Sequence, residues 1–433
     1  MNSRRNFLKA MSAGGLLLTA GIPAASWGAK QAHVVIIGGG TGGATAAKYL
    51  KLADPSIEIT LIEQNPNYYT CYMSNEVLGG DRTLDSLKFG YEGLRARGIK
   101  VIHDKVVGID PDTRVVSTQS GSAIGYDRCI VSPGIGFRYD LIEGYDESMI
   151  DTVPHAWKAG PQTTRLRAQL EAMPNGNNFI MAAPPNPYRC PPAPYERASQ
   201  VAYYFKKHKP DSKVIIVDPK SSFAKKDLFT QGWEKLYGYE KDDDFDESKM
   251  IQWRSSNGIK AFDAGAHSVV SADGEQFGQV GDVINIIPAQ KAGALAFAAD
   301  LVGESGWCPV SVNTFESTRH PNIHVIGDAC IASPLPKSGF AANSEGKACA
   351  LAVAALLNDR EPGQTSFTNG CYSLVSDDYA ISIVAVYRLT EEGNAIAKVS
   401  GGTTPIDASD EEKLVDVKYA YSWYNNFTRD IFF

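Results

Sequence analysis

Two glycine-centred segments and a set of cysteines carry the chemistry open to this chain. Gly38-Gly39-Gly40-Thr41-Gly42-Gly43 follows the apolar run His33-Val34-Val35-Ile36-Ile37 and opens a helical pattern through Ala44–Lys51. A second apolar run, Ile57 to Ile62, ends in Glu63. Gly38, Gly40 and Gly43, with Thr41 among them, occupy the glycine places of a βαβ dinucleotide fingerprint. There the bare backbone approaches a pyrophosphate at a helix N-terminus, and Glu63 stands where an acid takes ribose hydroxyls. The segment predicts an ADP-containing cofactor. Much later, Ile323-His324-Val325-Ile326-Gly327-Asp328 reads as a strand ending in Gly-Asp, and Lys337 precedes an alanine-rich helical run to about Leu357. Seven cysteines complete the inventory: Cys71, Cys129, Cys190, Cys308, Cys330, Cys349 and Cys371. An odd count leaves at least one free, or bonded to something other than cysteine. Spacing alone reads them as structural cross-links or small buried hydrophobes.

The whole chain bounds what these residues can be part of. Its 433 residues suggest two or three domains, and 43% hydrophobic with 21% charged residues is the balance of a folded protein rather than a disordered one. The net charge of -7 and scattered Lys and Arg leave no footprint for a nucleic-acid backbone. Residues 1–29 read as a twin-arginine signal: Ser3-Arg4-Arg5-Asn6-Phe7-Leu8-Lys9, an apolar stretch interrupted by Gly14, Gly15 and Pro23, then small residues suited to cleavage. Export to the periplasm in folded form is therefore expected, with a tightly held cofactor. No second apolar run of about twenty residues predicts a membrane anchor.

Four blocks must position the chemistry. The cofactor domain is expected to be discontinuous, 30–143 and 290–361, around an inserted α/β unit, 144–289, whose first strands are Asn178–Ala183 and Lys213–Asp218. That unit has the layout of a second nucleotide domain, but its loop reads Pro184-Pro185-Asn186-Pro187-Tyr188-Arg189-Cys190-Pro191-Pro192-Ala193-Pro194. Prolines supply no N–H donors and add bulk, so NAD(P)H is not expected to dock there. Residues 362–433 are expected to form a small β-rich domain, with Ile381–Tyr387 and Val415–Trp423 as alternating strands. The acidic stretch 240–247 reads as a solvated loop.

In two-dinucleotide-domain flavoproteins a Gly-Asp pair like Gly327-Asp328 holds a ribityl hydroxyl of FAD, and the order of motifs here is similar. With Tyr68-Tyr69-Thr70-Cys71-Tyr72, Tyr188 to Arg197, His324 to Cys330 and Tyr421 to Asn426, the chain resembles the flavoprotein subunit of flavocytochrome c sulfide dehydrogenase from about residue 33 to its end. The resemblance implies an α/β fold with two Rossmann-like domains of the glutathione-reductase-like FAD kind. It also implies FAD bonded covalently through Cys71, and a redox disulfide between Cys190 and Cys371 that takes electrons from hydrosulfide. Glu196 is the candidate proton handler, and Lys337 the candidate charge beside the flavin pyrimidine ring. The chain lacks a Cys-x-x-Cys-His haem site, so haem c is expected only on a c-type cytochrome partner.

Three rivals stay open. A sulfide:quinone oxidoreductase would carry amphipathic C-terminal helices where this tail reads as strands. An NAD(P)H-dependent disulfide or persulfide reductase needs the nucleotide loop that the prolines replace. An exported sulfur- or metal-binding protein on the same fold would lack flavin.

Overall fold

The computed structural model describes residues 31–239 and 249–433, so the expected export signal and the whole acidic stretch 240–247 lie outside the described residues. The apolar run His33–Ile37 becomes the centre of a large sheet, hydrogen-bonded in parallel to Glu58–Ile62 on one side and Arg128–Val131 on the other. Lys100–Ile102 and Ile323–Val325 extend the parallel core. Glu316–Ser317, Cys308–Ser311 and Cys330–Ile331 finish one edge. Near-continuous burial of the inner strands is what a parallel sheet covered on both faces requires. Segments almost two hundred residues apart thus share one sheet, which brings Gly38 and Gly327 to the ends of the two strands that flank Arg128–Val131.

Two helices meet over these ends, Thr41–Ala53 and Gly339–Leu357. Both are rich in alanine and glycine, so their backbones approach closely: a Cβ on Gly346 would lie 2.7 Å from the carbonyl oxygen of Gly42. The N-terminus of each is thereby held beside a strand end. A second sheet of four parallel strands runs Ile251–Ser255, Val214–Asp218, Phe179–Ala182, Val283–Ile286. The proline loop leaves the end of Phe179–Ala182 and enters the helix Ala193–His208.

The last segment departs from the sequence expectation. Three antiparallel strands, Ser366–Leu374, Ala380–Leu389 and Ile396–Thr403, are followed by a 23-residue helix, Asp410–Phe432, that includes the whole of the expected strand at 415–423. Two forces favour the helix. Ser409 and Glu412 form a capping box with three acids in the first turn, and apolar Val417, Ala420, Tyr424, Phe427 and Ile431 recur at the three-and-four spacing of one helical face. The short alternation in Val415–Trp423 is a local coincidence of that longer period. A terminal helix removes the ground on which the quinone-linked rival was disfavoured.

Candidate active site

At the nucleotide end, the strand His33–Ile37 delivers the chain into a turn that only glycine can make. A Cβ at Gly43 would lie 1.9 Å from the carbonyl oxygen of Gly38, so the first helical turn sits directly on the loop. The helix Thr41–Ala53 begins at Gly40 with no side-chain cap, leaving its first N–H groups for an anionic ligand. Glu63 is fixed beside them: one carboxylate oxygen accepts from the Gly39 N–H at 2.8 Å, the other from Asn65. The Thr41 hydroxyl lies 3.3 Å from the hydroxyls of both Tyr68 and Tyr72.

At the other strand end Asp328 has one carboxylate oxygen buried without a hydrogen-bond partner, while its second oxygen lies 4.0 Å from the Arg189 guanidinium. Burial pushes the Asp328 carboxyl up, and Arg189 and Lys337 pull it back. An orphaned buried acceptor just past a strand end fits a hydroxyl-bearing ligand such as the ribityl chain of FAD. Lys337 donates to the carbonyl oxygens of Asp328 and Cys330 at 2.8 Å each and lies 3.8 Å over the Trp307 ring, so its charge sits against the Asp328 backbone. Ser338 caps the following helix by accepting from Ala341 N–H.

Cys71 belongs to the same locality. Its neighbours by charge are Arg189 and Asp328; burial pushes its thiol up and Arg189 opposes that. The terminal helix holds this segment in place. Tyr72 packs edge-on against Trp423 and Tyr424, and the Tyr424 hydroxyl is 3.1 Å from that of Thr70.

The thiols form the third part. Cys190 sits in the proline loop with φ of 59°, in left-handed backbone, and its N–H donates to the Lys337 carbonyl oxygen at 2.7 Å. The loop is thus tied to the segment that carries Lys337. Cys371 comes from the strand Ser366–Leu374, and the two thiols hydrogen-bond to each other. The Cys190 contact, assisted by the charge of Lys225, draws the Cys371 thiol down to about 7, while the same contact and burial push Cys190 up.

Glu196, in the first turn of Ala193–His208, is buried. It accepts from Leu374 N–H at 3.2 Å and from the Asn75 amide at 3.1 Å. Burial pushes its carboxyl up to about 8, with the nearby Cys371 adding to the shift. Cys190, Cys371 and Glu196 therefore form one interacting cluster, Cys71, Asp328 and Arg189 a second one coupled to it through Cys190, and Glu63 stands at the nucleotide end. Sequence reasoning missed Lys225, whose Nζ is sealed from solvent without a hydrogen-bond partner and acts on Cys371, Glu196 and Cys190. It also missed Asn75. Neither carries a motif, and only the fold brings them in. Cys129, Cys308, Cys330 and Cys349 are buried, and Cys308 and Cys330 are registered partners on adjacent parallel strands.

The second nucleotide position is occupied by the protein itself. Asp218 ends its strand, where a ribose-binding acid would stand, but it accepts from Tyr195 at 2.6 Å and Trp253 at 2.9 Å and pairs with Lys220 at 2.6 Å. Phe223 stacks on Tyr195 with ring centroids 3.6 Å apart.

Comparison with known proteins agrees with this geometry. Residues 163–288 match the central domain of the sulfide dehydrogenase [flavocytochrome c] flavoprotein chain, 363–432 match the flavin-binding domain of flavocytochrome c sulphide dehydrogenase, and 32–167 match the pyridine nucleotide-disulphide oxidoreductase family. A sulfide dehydrogenase [flavocytochrome c] flavoprotein chain from Chlorobaculum thiosulfatiphilum is 54% identical over 45 residues, 94% of that sequence and 10% of this chain. The chain belongs to this flavoprotein family. The mitochondrial sulfide:quinone oxidoreductase of Mus musculus is 22% identical over 322 residues, 71% of this chain and 68% of that one. In structure, the sulfide:quinone oxidoreductase of Aquifex aeolicus superposes with a TM-score of 0.68 at 19% identity, covering 93% of this chain and 91% of that one. These likenesses establish the α/β two-domain FAD fold.

Proposed function

We propose that the chain is the flavin subunit of a periplasmic sulfide dehydrogenase that oxidises hydrosulfide at Cys190 and Cys371 and passes electrons through FAD to a separate c-type cytochrome. Membership of the family makes it a sulfide-oxidising FAD oxidoreductase. One juxtaposition supports the finer reading: two mutually hydrogen-bonded thiols, one of lowered and one of raised pKa, lie between a buried acid and the cluster of Cys71, Arg189 and Asp328. Paired thiols of unequal acidity suit disulfide exchange, in which the more acidic sulfur leaves more readily.

Each residue has a task in this reading. As a disulfide, Cys190 and Cys371 present an electrophilic sulfur to hydrosulfide, and the exchange leaves a persulfide on one and a thiolate on the other. Glu196 holds or takes the proton of the sulfur species. A second hydrosulfide releases the sulfane sulfur as a short polysulfide. FAD, when bound, supplies a two-electron acceptor that can release its electrons singly. Gly38, Gly40, Thr41 and Gly43 would hold its pyrophosphate, Glu63 its ribose, and Gly327 and Asp328 its ribityl chain, with Lys337 behind Asp328. Cys71 is assigned the covalent bond to the flavin 8α-methyl group.

A quinone acceptor is the second reading, favoured by the terminal helix and the likeness to sulfide:quinone oxidoreductases. Against it, Val417, Ala420, Tyr424, Phe427 and Ile431 on that helix are buried within the chain. No helix among the described residues is long and apolar enough to cross a membrane.

Anaerobic sulfide titration of the purified protein tests the proposal, with Cys190→Ser and Cys371→Ser alongside. Sulfide should bleach the parent flavin and leave both variants yellow. Acid precipitation should keep flavin with the parent and release it from Cys71→Ser. A parent that stays oxidised, or serine variants that bleach normally, would remove the disulfide route. Reduction of a soluble short-chain quinone at a rate that a c-type cytochrome does not match would favour the second reading.

A further inference from the structure

A buried ammonium without a partner is costly unless an anion comes to it. Lys225 is such a group: its Nζ is sealed from solvent, and among the described residues nothing hydrogen-bonds to it. Its placement adds to the cost. Lys225 has φ of 61°, left-handed backbone that a long side chain seldom adopts, and it stands at the N-cap of the helix Lys226–Tyr237, where the dipole disfavours a cation. The chain keeps a lysine where both backbone and field oppose it.

What faces that ammonium explains the choice. The groups acting on it are Cys371 first, then Glu196, Cys190 and Asp416, from four separate parts of the fold. Asp416 is already held by Thr404 at 2.7 Å and Ser382 at 3.2 Å, and Glu196 by Leu374 and Asn75. Burial lowers the Lys225 pKa and these neighbours raise it. Both carboxylates thus have hydrogen-bond donors of their own, and Lys225 is the cation that acts on Cys371.

We propose that Lys225 is the cation of the sulfur site: it draws hydrosulfide to the Cys190–Cys371 bridge and fixes Cys371 as the leaving thiolate, so that the persulfide forms on Cys190. The proposal rests on the sulfide-oxidising reading and deepens it. Hydrosulfide attacks Sγ of Cys190, and one S–S bond forms to the incoming sulfur. The Cys190–Cys371 bond breaks with its electron pair on Cys371, and the substrate proton stays on the persulfide. One negative charge enters as hydrosulfide and ends on Cys371, the group that acts most strongly on Lys225. The exchange needs no other oxidant.

The test uses the full-length flavin-loaded protein with Lys225→Met, Lys225→Gln and Lys225→Arg. Sulfide-driven bleaching at fixed low sulfide should slow about ten- to hundred-fold in Met and Gln, the scale of losing one contact to a charged group, and recover largely in Arg. A second readout needs no turnover. In protein with the bridge opened by a phosphine, iodoacetamide at pH 7 should alkylate Cys371 faster than Cys190, and Lys225→Met should slow Cys371 selectively. Should Met fail to accumulate as folded yellow protein, Gln decides. Parental bleaching in both Met and Gln while Cys371→Ser stays inert would overturn the role of Lys225 and leave sulfide oxidation standing. A sulfane sulfur trapped on Cys371 instead of Cys190 would overturn the assigned direction. A parent that sulfide never bleaches would take down both.

Discussion

At the scale of single residues, the site works by taking charged groups out of water and leaving some of them short of partners. Glu196 is the clearest case, because burial, more than any neighbour, lifts its carboxyl to about 8. The native state therefore binds a proton that the unfolded chain has released, over the interval from about 4.3, the usual glutamate value, to about 8. In that window the folded protein holds more protons, so stability must fall as pH rises. Glu196→Gln should remove this slope, becoming more stable relative to the parent between pH 5 and 9. Denaturant midpoints of both proteins across that range check it, and parallel curves would deny Glu196 its raised pKa. Glu345, lifted to about 8 by burial, remains in both proteins and cancels in the difference. The glycines, Glu63 and Asp328 were legible in sequence because a motif fixes their spacing. Lys225 and Asn75 were not, because their roles come from approach in space across more than a hundred residues.

At the scale of elements, the first βαβ unit and the proline loop could be read because their signals are local: a strand, a glycine turn and a helix in succession, or prolines where amides are needed. The C-terminal segment could not, since nine alternating residues and a helix of about six turns overlap in one stretch, and only the longer register has a surface to bury against. Part of that surface is the Cys71 segment, which gives the helix a part in the site. Tyr424, nearly fully buried, joins the two by packing on Tyr72 and by its hydroxyl contact with Thr70. Tyr424→Ala should cost about 3 kcal/mol, typical of deleting a buried ring, and should loosen the segment that bears Cys71. Tyr424→Phe, which loses only the hydroxyl contact, should cost about 1 kcal/mol. Denaturant unfolding gives the first quantity, and the fraction of flavin left after acid precipitation gives the second. A Tyr424→Ala protein of parental stability would mean the helix is dispensable to that segment.

For the whole molecule, the arrangement sets which way electrons can enter. Two parallel-sheet units stand together as in enzymes that take hydride from a nicotinamide, yet the loop and the strand-end acid of the second one both oppose that ligand. Its loop replaces amide donors with prolines, so a pyrophosphate finds little to bind. Its strand-end acid, Asp218, has its oxygens taken by Tyr195, Trp253 and Lys220. The Tyr195 ring is covered in turn by Phe223, so freeing the acid means breaking a stacked aromatic contact as well as its hydrogen bonds. The same loop carries Cys190 and ties it to Lys337. The flavin should remain oxidised for minutes under anaerobic NADH or NADPH at millimolar concentration, while stoichiometric sulfide bleaches it at once. Because the loop opposes the ligand as well as the acid, Tyr195→Phe alone should not restore nicotinamide turnover. Bleaching of the parent by either nucleotide, followed in the flavin absorbance band, would mean that the second unit still admits a dinucleotide and that sulfide is not the sole donor.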